Sequence, residues 1–155
     1  MPGTIVVGVD GSEASHEALR WAAAEAELRG ARIVAAHVWT FVPPTPIGEP
    51  GMMPMPAGDY VGQMEAERNA AQAELDSALT DVFPDGAPDD LESKLLEGDA
   101  EDALVREAAD AELLVVGSRG RSGIASVLLG SVSRHVVSHA LCPVVVVKAP
   151  AERED

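Results

Sequence analysis

Five short apolar runs alternate with helix-like segments along the chain, and this alternation limits the fold more than any other feature. The first run, TIVVGV at residues 4–9, is rich in β-branched residues and is typical of a strand buried on both faces. The other runs lie at residues 31–39, 90–98, 111–117 and 143–148. Each gap has room for a crossover helix, so neighbouring strands should be parallel. The pattern predicts an α/β fold, with a single-domain open five-stranded parallel sheet and helices on both faces.

The segments between these runs carry helix signals. Residues 13–29 are rich in Ala and Glu and end at Gly30, a common helix terminator. A second helix is predicted at about residues 59–82. Its apolar stripe comprises Met64, Ala71, Leu75, Ala78 and Val82. Asp99 is a candidate cap for a third helix, which carries Ala103, Leu104 and Ala108. A fourth helix is indicated by the spacing of Val132, Val136 and Ala140.

The length favours one domain. A chain of 155 residues with 46% hydrophobic residues can bury a single core. We assign residues 1–150 to this domain and residues 151–155 to a C-terminal tail that should fray. Aromatic residues make up only 3% of the chain, so the core must consist mainly of Val, Leu, Ile and Ala.

The charge argues against polyanionic partners. The chain has 11 Lys and Arg against 26 Asp and Glu, and its formal charge is -15. This charge repels phosphate backbones and anionic headgroups, so neither nucleic acid nor a membrane is an expected partner. A single cysteine, Cys142, excludes an intrachain disulfide and suits a reducing compartment. Because the sequence has neither a basic leader nor a long apolar segment, we expect a cytoplasmic protein.

Residues 40–58 form a proline-rich stretch. They contain six of the chain's 11 prolines, together with Met52, Met53 and Met55. Prolines at this density exclude regular structure. Such a loop is usually a lid, a binding loop or a disordered excursion, and the sequence leaves these alternatives open.

The segment GSRGRSGIASVLLGS, residues 117–131, directly follows the fourth predicted strand. Ligands of open parallel sheets collect at the carboxyl ends of the strands. Gly117 and Gly120 suit a turn whose backbone N–H groups approach an anion closely. Ser131 is a candidate N-cap of the last helix, and the N-terminus of a helix also favours an anion. The segment therefore offers two anion-binding features.

These two features form one site only if residues 121–129 loop out and return. The alternative is a glycine-rich connection with an ordinary helix cap. The segment has neither the Gly-Lys-Ser/Thr ending of a Walker A loop nor the G-x-G-x-x-G spacing of a Rossmann loop. Arg119 and Arg121 could contact phosphate oxygens or lie in solvent. Asp10 could cap the first helix, with Glu13 completing a capping box, and could also accept a ligand hydroxyl.

The histidines and the cysteine form no obvious catalytic or metal site. His135 and His139 have i, i+4 spacing, but the H-E-x-x-H glutamate and a third ligand are missing. We expect them to be a solvated or partner-facing pair. His37, within the second strand, is expected to be buried or half-buried with its polar atoms satisfied. Cys142 has no evident base beside it and should act as a small apolar residue.

The combined spacing Gly117-x2-Gly120-x9-Gly130-Ser131, followed by a helix and CPVVVVK, resembles the nucleotide-binding signature of the universal stress protein family. The resemblance extends from IVVGVDGS at residues 5–12 to Lys148. It implies a Rossmann-like sandwich related to the adenine nucleotide alpha-hydrolase fold. It also implies binding of ATP, in some members with a divalent cation such as Mg²⁺ or Mn²⁺, and a common dimeric state.

The resemblance further implies a set of binding residues. The adenosine portion would be contacted by Val9, Asp10 and Val38. The ribose and phosphates would be surrounded by Gly117, Arg119, Gly120, Gly130, Ser131 and Val132, with Val116 beside them at the end of the strand. We assign no catalytic residue and no metal ligand.

The sequence thus favours an ATP-binding regulatory module of the stress response, with slow or no hydrolysis. An ATP-dependent enzyme of the related fold would need an acid, a base or an acceptor pocket near the phosphates, and the sequence offers no obvious candidate. The third alternative is an interaction protein whose glycine loop holds no nucleotide. The apolar last strand, residues 143–148, is the expected homodimer contact, because an unprotected apolar edge strand tends to pair.

Overall fold

The computed structural model describes residues 2–43, 57–120 and 129–150 of the chain. Within these residues, strands and helices alternate from first to last. The strands are β1 (Thr4–Gly8), β2 (Arg32–Trp39), β3 (Leu91–Glu97), β4 (Leu113–Gly117) and β5 (Val144–Val147). The helices are α1 (Glu13–Arg29), α2 (Ala57–Val82), α3 (Ala100–Glu107) and α4 (Ser131–His139). The predicted order of elements is confirmed.

The strands form one sheet in the order β3-β2-β1-β4-β5, and every neighbouring pair is parallel. In the centre, Ile5 of β1 lies opposite Ile33 of β2 and Leu113 of β4. From β1 the chain builds outward first to one edge, through β2 and β3, and then to the other, through β4 and β5. The strand order therefore reverses between β1 and β4, which is where ligands of open parallel sheets bind.

Each face of the sheet is covered by two helices. On one face, Leu19 of α1 and Leu75 of α2 pack on strand residues such as Ile5. On the other face, Leu104 of α3 and Val136 of α4 pack on strand residues such as Leu114. Because successive side chains of a strand point to opposite faces of the sheet, every strand contributes residues to the apolar cores on both faces. The predicted sandwich with helices on both faces is confirmed.

The second helix differs from its prediction at its N-terminal end. It begins at Ala57 instead of residue 59, and Met64 of the predicted stripe is 37% exposed. The other four stripe residues are buried. A helix of 26 residues is about 39 Å long, whereas the eight residues of β2 span about 26 Å, so the first turns of α2 extend past the strand.

Residues 44–56 of the proline-rich stretch, residues 121–128 and the tail 151–155 lie outside the described residues, so the expectations for them stay predictions. Residues 40–43, at the start of that stretch, form neither helix nor strand. In the part of the chain that the structure describes, no helix is both long and apolar enough to cross a membrane.

Candidate functional site

A cleft of about 450 Å³ opens at the carboxyl ends of β1, β2 and β4. Its walls are completed by the first residues of α3 and α4. All ten residues assigned to binding from the sequence line it: Val9, Asp10, Val38, Val116, Gly117, Arg119, Gly120, Gly130, Ser131 and Val132. The structure thus brings into one place residues that are separated by more than a hundred positions in the chain.

The first strand leads into a hydrogen-bonded turn at Asp10. One carboxylate oxygen of Asp10, Oδ1, accepts a hydrogen bond from the Ser12 N–H (2.9 Å) and another from the Ser12 hydroxyl. Ser12 is the N-cap of α1, because its Oγ accepts the Ser15 N–H at 3.2 Å. Of the two roles left open for Asp10, capping of α1 is therefore excluded. Asp10 instead holds the capping residue, whose Oγ also lies 3.3 Å from the Arg119 carbonyl oxygen.

Gly117 and Gly120 are required for different reasons. A Cβ on Gly117 would lie 2.7 Å from the carbonyl carbon of Ala14 and 2.8 Å from the Ser15 nitrogen. Only glycine therefore lets the end of β4 pass the first turn of α1, and this packing role was not foreseen from the sequence. A Cβ on Gly120 would lie 3.1 Å from Oδ2 of Asp10, so the turn after β4 closely approaches the turn after β1.

Helix α4 begins where the chain returns to the cleft. Its N-cap is Gly130, with φ -72 and ψ 171, so the prediction that Ser131 is the N-cap is wrong. Ser131 is the first helical residue, and no side-chain hydrogen bond caps α4 because its N-cap is a glycine. The Gly130 N–H donates to the Ser118 carbonyl at 2.7 Å. This bond confirms that the two ends of the glycine-rich segment meet.

The opposite end of the cleft is lined mainly by side chains. Ala36, His37 and Val38 contribute from β2, and Ala100 and Leu104 contribute from α3. His37 is 9% exposed, and its Nδ1 lies 2.7 Å from the Val9 carbonyl oxygen. Because a carbonyl oxygen only accepts, Nδ1 carries the proton. The expected buried histidine with a hydrogen-bonded ring is thus confirmed. Its Nε2 atom lies 3.4 Å from Oε2 of Glu74.

The local charge of the cleft is opposite to that of the whole chain. Among the described lining residues are two arginines, Arg119 and Arg134, and a single carboxylate, that of Asp10. The N-terminus of α4 adds the positive end of a helix dipole. The cleft is therefore a locally favourable place for an anion on a chain of formal charge -15. Arg121 lies outside the described residues.

Eight residues that line the cleft were not assigned to the binding site from the sequence: Gly8, Ser15, Ala36, His37, Ala100, Leu104, Ser133 and Arg134. The alanines and Leu104 look like core residues in a sequence. Arg134 did carry a signal, because a cation in the first turn of a helix opposes the dipole and suggests an anion nearby. Ser133 carried a weaker signal, since a serine early in an apolar helix needs a hydrogen-bond partner when buried.

The His135 and His139 pair is not part of the cleft. The ring nitrogens of His135 lie 3.3 Å from Oε2 of Glu101 and 3.2 Å from Oδ1 of Asp102, and its ring stacks on that of His139. The expectation of a solvated or partner-facing pair is thus wrong for His135, which pairs with the first turn of α3. No group of three or more His, Cys, Asp or Glu residues within the described ranges could hold a metal ion.

The cysteine agrees with its prediction as a small apolar residue. Cys142 is partly buried and packs against the core between the sheet and helices α3 and α4. Burial raises the pKa of its thiol, which disfavours the reactive thiolate.

A parallel sheet with a glycine-lined cleft at its switch point defines a Rossmann-like α/β protein. Comparison with known proteins narrows this class. The sequence model of the universal stress protein family matches residues 1–148. The chain belongs to the universal stress protein family.

Individual relatives agree with this assignment. A universal stress protein of Mycolicibacterium smegmatis is 35% identical over 144 residues, which cover 93% of this chain and 45% of the relative. The chain thus spans about half the length of the curated relatives it matches. A crystal structure of a universal stress protein in complex with cAMP is 30% identical, covers 96% of this chain and 98% of its own, and has a TM-score of 0.57. The universal stress protein from Archaeoglobus fulgidus in complex with dAMP is 26% identical, with the same coverage and a TM-score of 0.54.

Proposed function

We propose that this chain binds an adenine nucleotide in the cleft, with the phosphates at the end formed by β4 and α4 and the adenosine at the end formed by β1 and β2. The observation that carries the proposal is that the turn at Gly120 meets the start of α4 at Gly130. The Gly130 N–H bonds to the Ser118 carbonyl, which lies beside Arg119 and Gly120. Related structures are described in complex with cAMP and with dAMP, which supports an adenine nucleotide as the ligand class.

The phosphate end would bind its ligand mainly through the backbone. The first N–H groups of a helix have no partner within the helix, and α4 lacks a side-chain cap that would occupy them. Arg119 and Arg134 would add charge-assisted hydrogen bonds, which guanidinium groups form well with phosphate oxygens. At the other end, Val9, Val38 and Leu104 would pack on the base, and Oδ2 of Asp10 would accept a ribose hydroxyl.

We propose ATP as the ligand, accompanied by Mg²⁺ or Mn²⁺. The described residues fit a cation held mainly by phosphates, because Asp10 is the only carboxylate among the lining residues in these ranges. Mg²⁺ is commonly bound through one or two carboxylates together with substrate phosphates. The cation would neutralise phosphate charge, while Gly120, Gly130 and Ser131 would orient the phosphates.

We further propose a cytoplasmic regulatory module of the stress response that hydrolyses ATP slowly or not at all. Among the described lining residues, Asp10 and His37 are the candidates for proton transfer, and both are already engaged. Oδ1 of Asp10 accepts two bonds from Ser12, and the His37 Nδ1–H donates to a backbone carbonyl. A saturated turnover above about 1 per second, ordinary for an enzyme, would contradict a module. The cytoplasm is proposed because one cysteine suits a reducing compartment.

The binding experiment begins with purified protein denatured to release bound small molecules, which are then separated by chromatography. Stripped protein is titrated with adenosine, AMP, ADP, ATP and cAMP by calorimetry. We expect an adenine nucleotide in the released fraction and tighter binding of phosphate-bearing ligands than of adenosine. Absence of measurable binding to every ligand would overturn the proposal, whereas binding of AMP or cAMP without ATP would correct only the ligand.

We also propose a homodimer through β5. The two helices that pack against this edge strand expose large apolar side chains, namely Trp21 and Leu28 on α1 and Val137 on α4, and Leu141 lies two residues after the end of α4. Light scattering should give a dimer mass for the wild type and a monomer mass for Val137→Lys. The matched control is Val61→Lys on α2, since Val61 and Val137 are 52% and 53% exposed. A monomeric wild type at micromolar concentration would overturn the dimer.

A further inference from the structure

Two buried serines occupy equivalent positions in two helices that border the cleft. Ser15 and Ser133 each lie three residues after the N-cap, and each is 2% exposed. Each hydroxyl lies 3.0 Å from the carbonyl oxygen of its own N-cap residue, Ser12 or Gly130. The two serines therefore share local geometry and burial, and they differ in what else they contact.

The second partner of Ser133 is the backbone of β4. Its Oγ lies 3.2 Å from the Ser118 carbonyl oxygen, which also accepts the Gly130 N–H at 2.7 Å. The N–H of Ser118 donates to the Val147 carbonyl of β5 at 2.8 Å. One residue at the end of β4, Ser118, thus holds the edge strand through its N–H and the start of α4 through its carbonyl. The Ser133 hydroxyl is the side chain that joins this carbonyl to the N-cap carbonyl.

The second partner of Ser15 belongs to the other end of the cleft. Its Oγ accepts the Asp10 N–H at 3.3 Å. Ser15 therefore supports the turn after β1, while Ser133 supports the junction between the turn after β4 and α4.

The junction held by Ser133 sets the separation of the two anion-binding features. A Cβ on Gly130 would lie 3.5 Å from the Gly120 nitrogen and 3.6 Å from the Arg119 Cα, so the gap between these backbones is no wider than a methyl group would fill. A shift of the N-cap relative to Ser118 would therefore move the first N–H groups of α4 relative to Gly120. A misplacement of about 1 Å is enough to weaken an oriented polar site strongly.

We propose that Ser133 is a positioning residue that holds the glycine turn and the N-terminus of α4 in register for a phosphate group. This inference rests on the proposed function, because it assigns the phosphate to that junction. Ser133 acts through the backbone that it fixes: its hydroxyl carries one proton, which the carbonyl oxygens of Ser118 and Gly130 share. Alanine fits the same helical position without steric conflict, so the hydroxyl is the group under test.

The test compares Ser133→Ala with Ser15→Ala by calorimetry, with adenosine and AMP as ligands. For Ser133→Ala we expect the AMP affinity to fall about ten-fold, the equivalent of about 1.4 kcal/mol, while the adenosine affinity stays at the wild-type value. For Ser15→Ala we expect both affinities to fall by the same factor. Ser138→Ala, an exposed serine on the same helix, should leave both unchanged. An equal loss for both ligands in Ser133→Ala, or no loss for AMP, would overturn the inference.

A second measurement does not depend on the ligand. Amide hydrogen exchange at Gly130 in the ligand-free protein should be faster in Ser133→Ala than in the wild type, because the neighbouring tether to Ser118 is lost. If the wild type binds neither ligand, the proposed function fails. Unchanged exchange at Gly130 would in addition show that the Ser133 hydroxyl does not hold the start of α4 to Ser118. Faster exchange together with a loss specific to AMP supports the positioning role.

Discussion

The two ends of the cleft differ in whether backbone groups or side chains form their walls. The end proposed for the phosphates, called the phosphate end, consists mainly of backbone: the turn at Gly117 and Gly120, the uncapped start of α4, and the bond from the Gly130 N–H to the Ser118 carbonyl. The end proposed for the adenosine, called the adenosine end, consists of side chains from β2, from α3 and from the turn after β1, and His37 and Asp10 are among its polar residues. A backbone site needs glycines at fixed spacing, whereas a side-chain wall needs only apolar residues of suitable size.

This difference predicts how each end responds to substitution. Changes at the phosphate end should discriminate between AMP and adenosine, because only AMP places a charge there. Changes at the adenosine end should weaken both ligands by the same factor. The ratio of the two affinities is therefore the quantity that separates the ends.

The largest expected effect is that of Gly120→Glu. A Cβ at this position would lie 3.1 Å from Oδ2 of Asp10, and the added carboxylate would place a negative charge where we propose the phosphates. We expect the AMP affinity to fall by about 100-fold or more, the equivalent of about 2.7 kcal/mol. Calorimetric titration measures the affinity, and circular dichroism checks that the fold is retained.

The matched control for this substitution is Gly62→Glu. It introduces the same side chain and the same charge on an exposed part of α2, where a Cβ would meet nothing within 4 Å. AMP affinity should be that of the wild type. An equal loss in both variants would mean that the overall negative charge, and not a local phosphate contact, causes the effect.

A smaller effect, on folding, is expected from Gly117→Ala. The new methyl group would lie 2.7 Å from the Ala14 backbone, so α1 must move away from β4. Overpacking of this kind typically costs about 1–3 kcal/mol, which should lower the midpoint of urea unfolding. Gly62→Ala, in an exposed helix interior, should instead raise stability by up to about 1 kcal/mol. An unchanged midpoint for Gly117→Ala would mean that α1 adjusts freely and that Gly117 serves the ligand alone.

These differences also explain what could be predicted from the sequence. The fold was predictable because β-branched runs and helix signals such as Asp99 and Gly30 agree along the whole chain. The phosphate end was predictable because Gly120 and Gly130 leave a visible spacing. The part of the cleft that α3 contributes was not, since Leu104 has the same appearance in a sequence whether it lines a cleft or fills a core.

Two candidate caps at the helix starts are not the caps in the structure, for a common reason. Ser131 and Asp10 are both good capping residues, yet the caps are Gly130 and Ser12, one residue before and two residues after the predicted positions. Each turn contains several residues that could act as the N-cap, either because they carry a side-chain oxygen or because they are glycine. Contacts with distant strands decide which of them is the N-cap. The bond from Gly130 to Ser118 is such a contact, and no local pattern encodes it.

The smallest expected effect lies at the adenosine end. His37→Leu removes the N–H that donates to the Val9 carbonyl at 2.7 Å and leaves that carbonyl without this partner. Without this bond the turn after β1 can shift away from the ligand, so we expect the affinities for adenosine and AMP each to fall about five-fold, the equivalent of about 1 kcal/mol. His37→Asn keeps an amide N–H near the position of Nδ1 and should recover part of the loss. Calorimetry with both ligands measures the ratio of affinities, which should not change. A loss confined to AMP would assign His37 to the phosphate end, and the division of the cleft into a backbone end and a side-chain end would then be wrong.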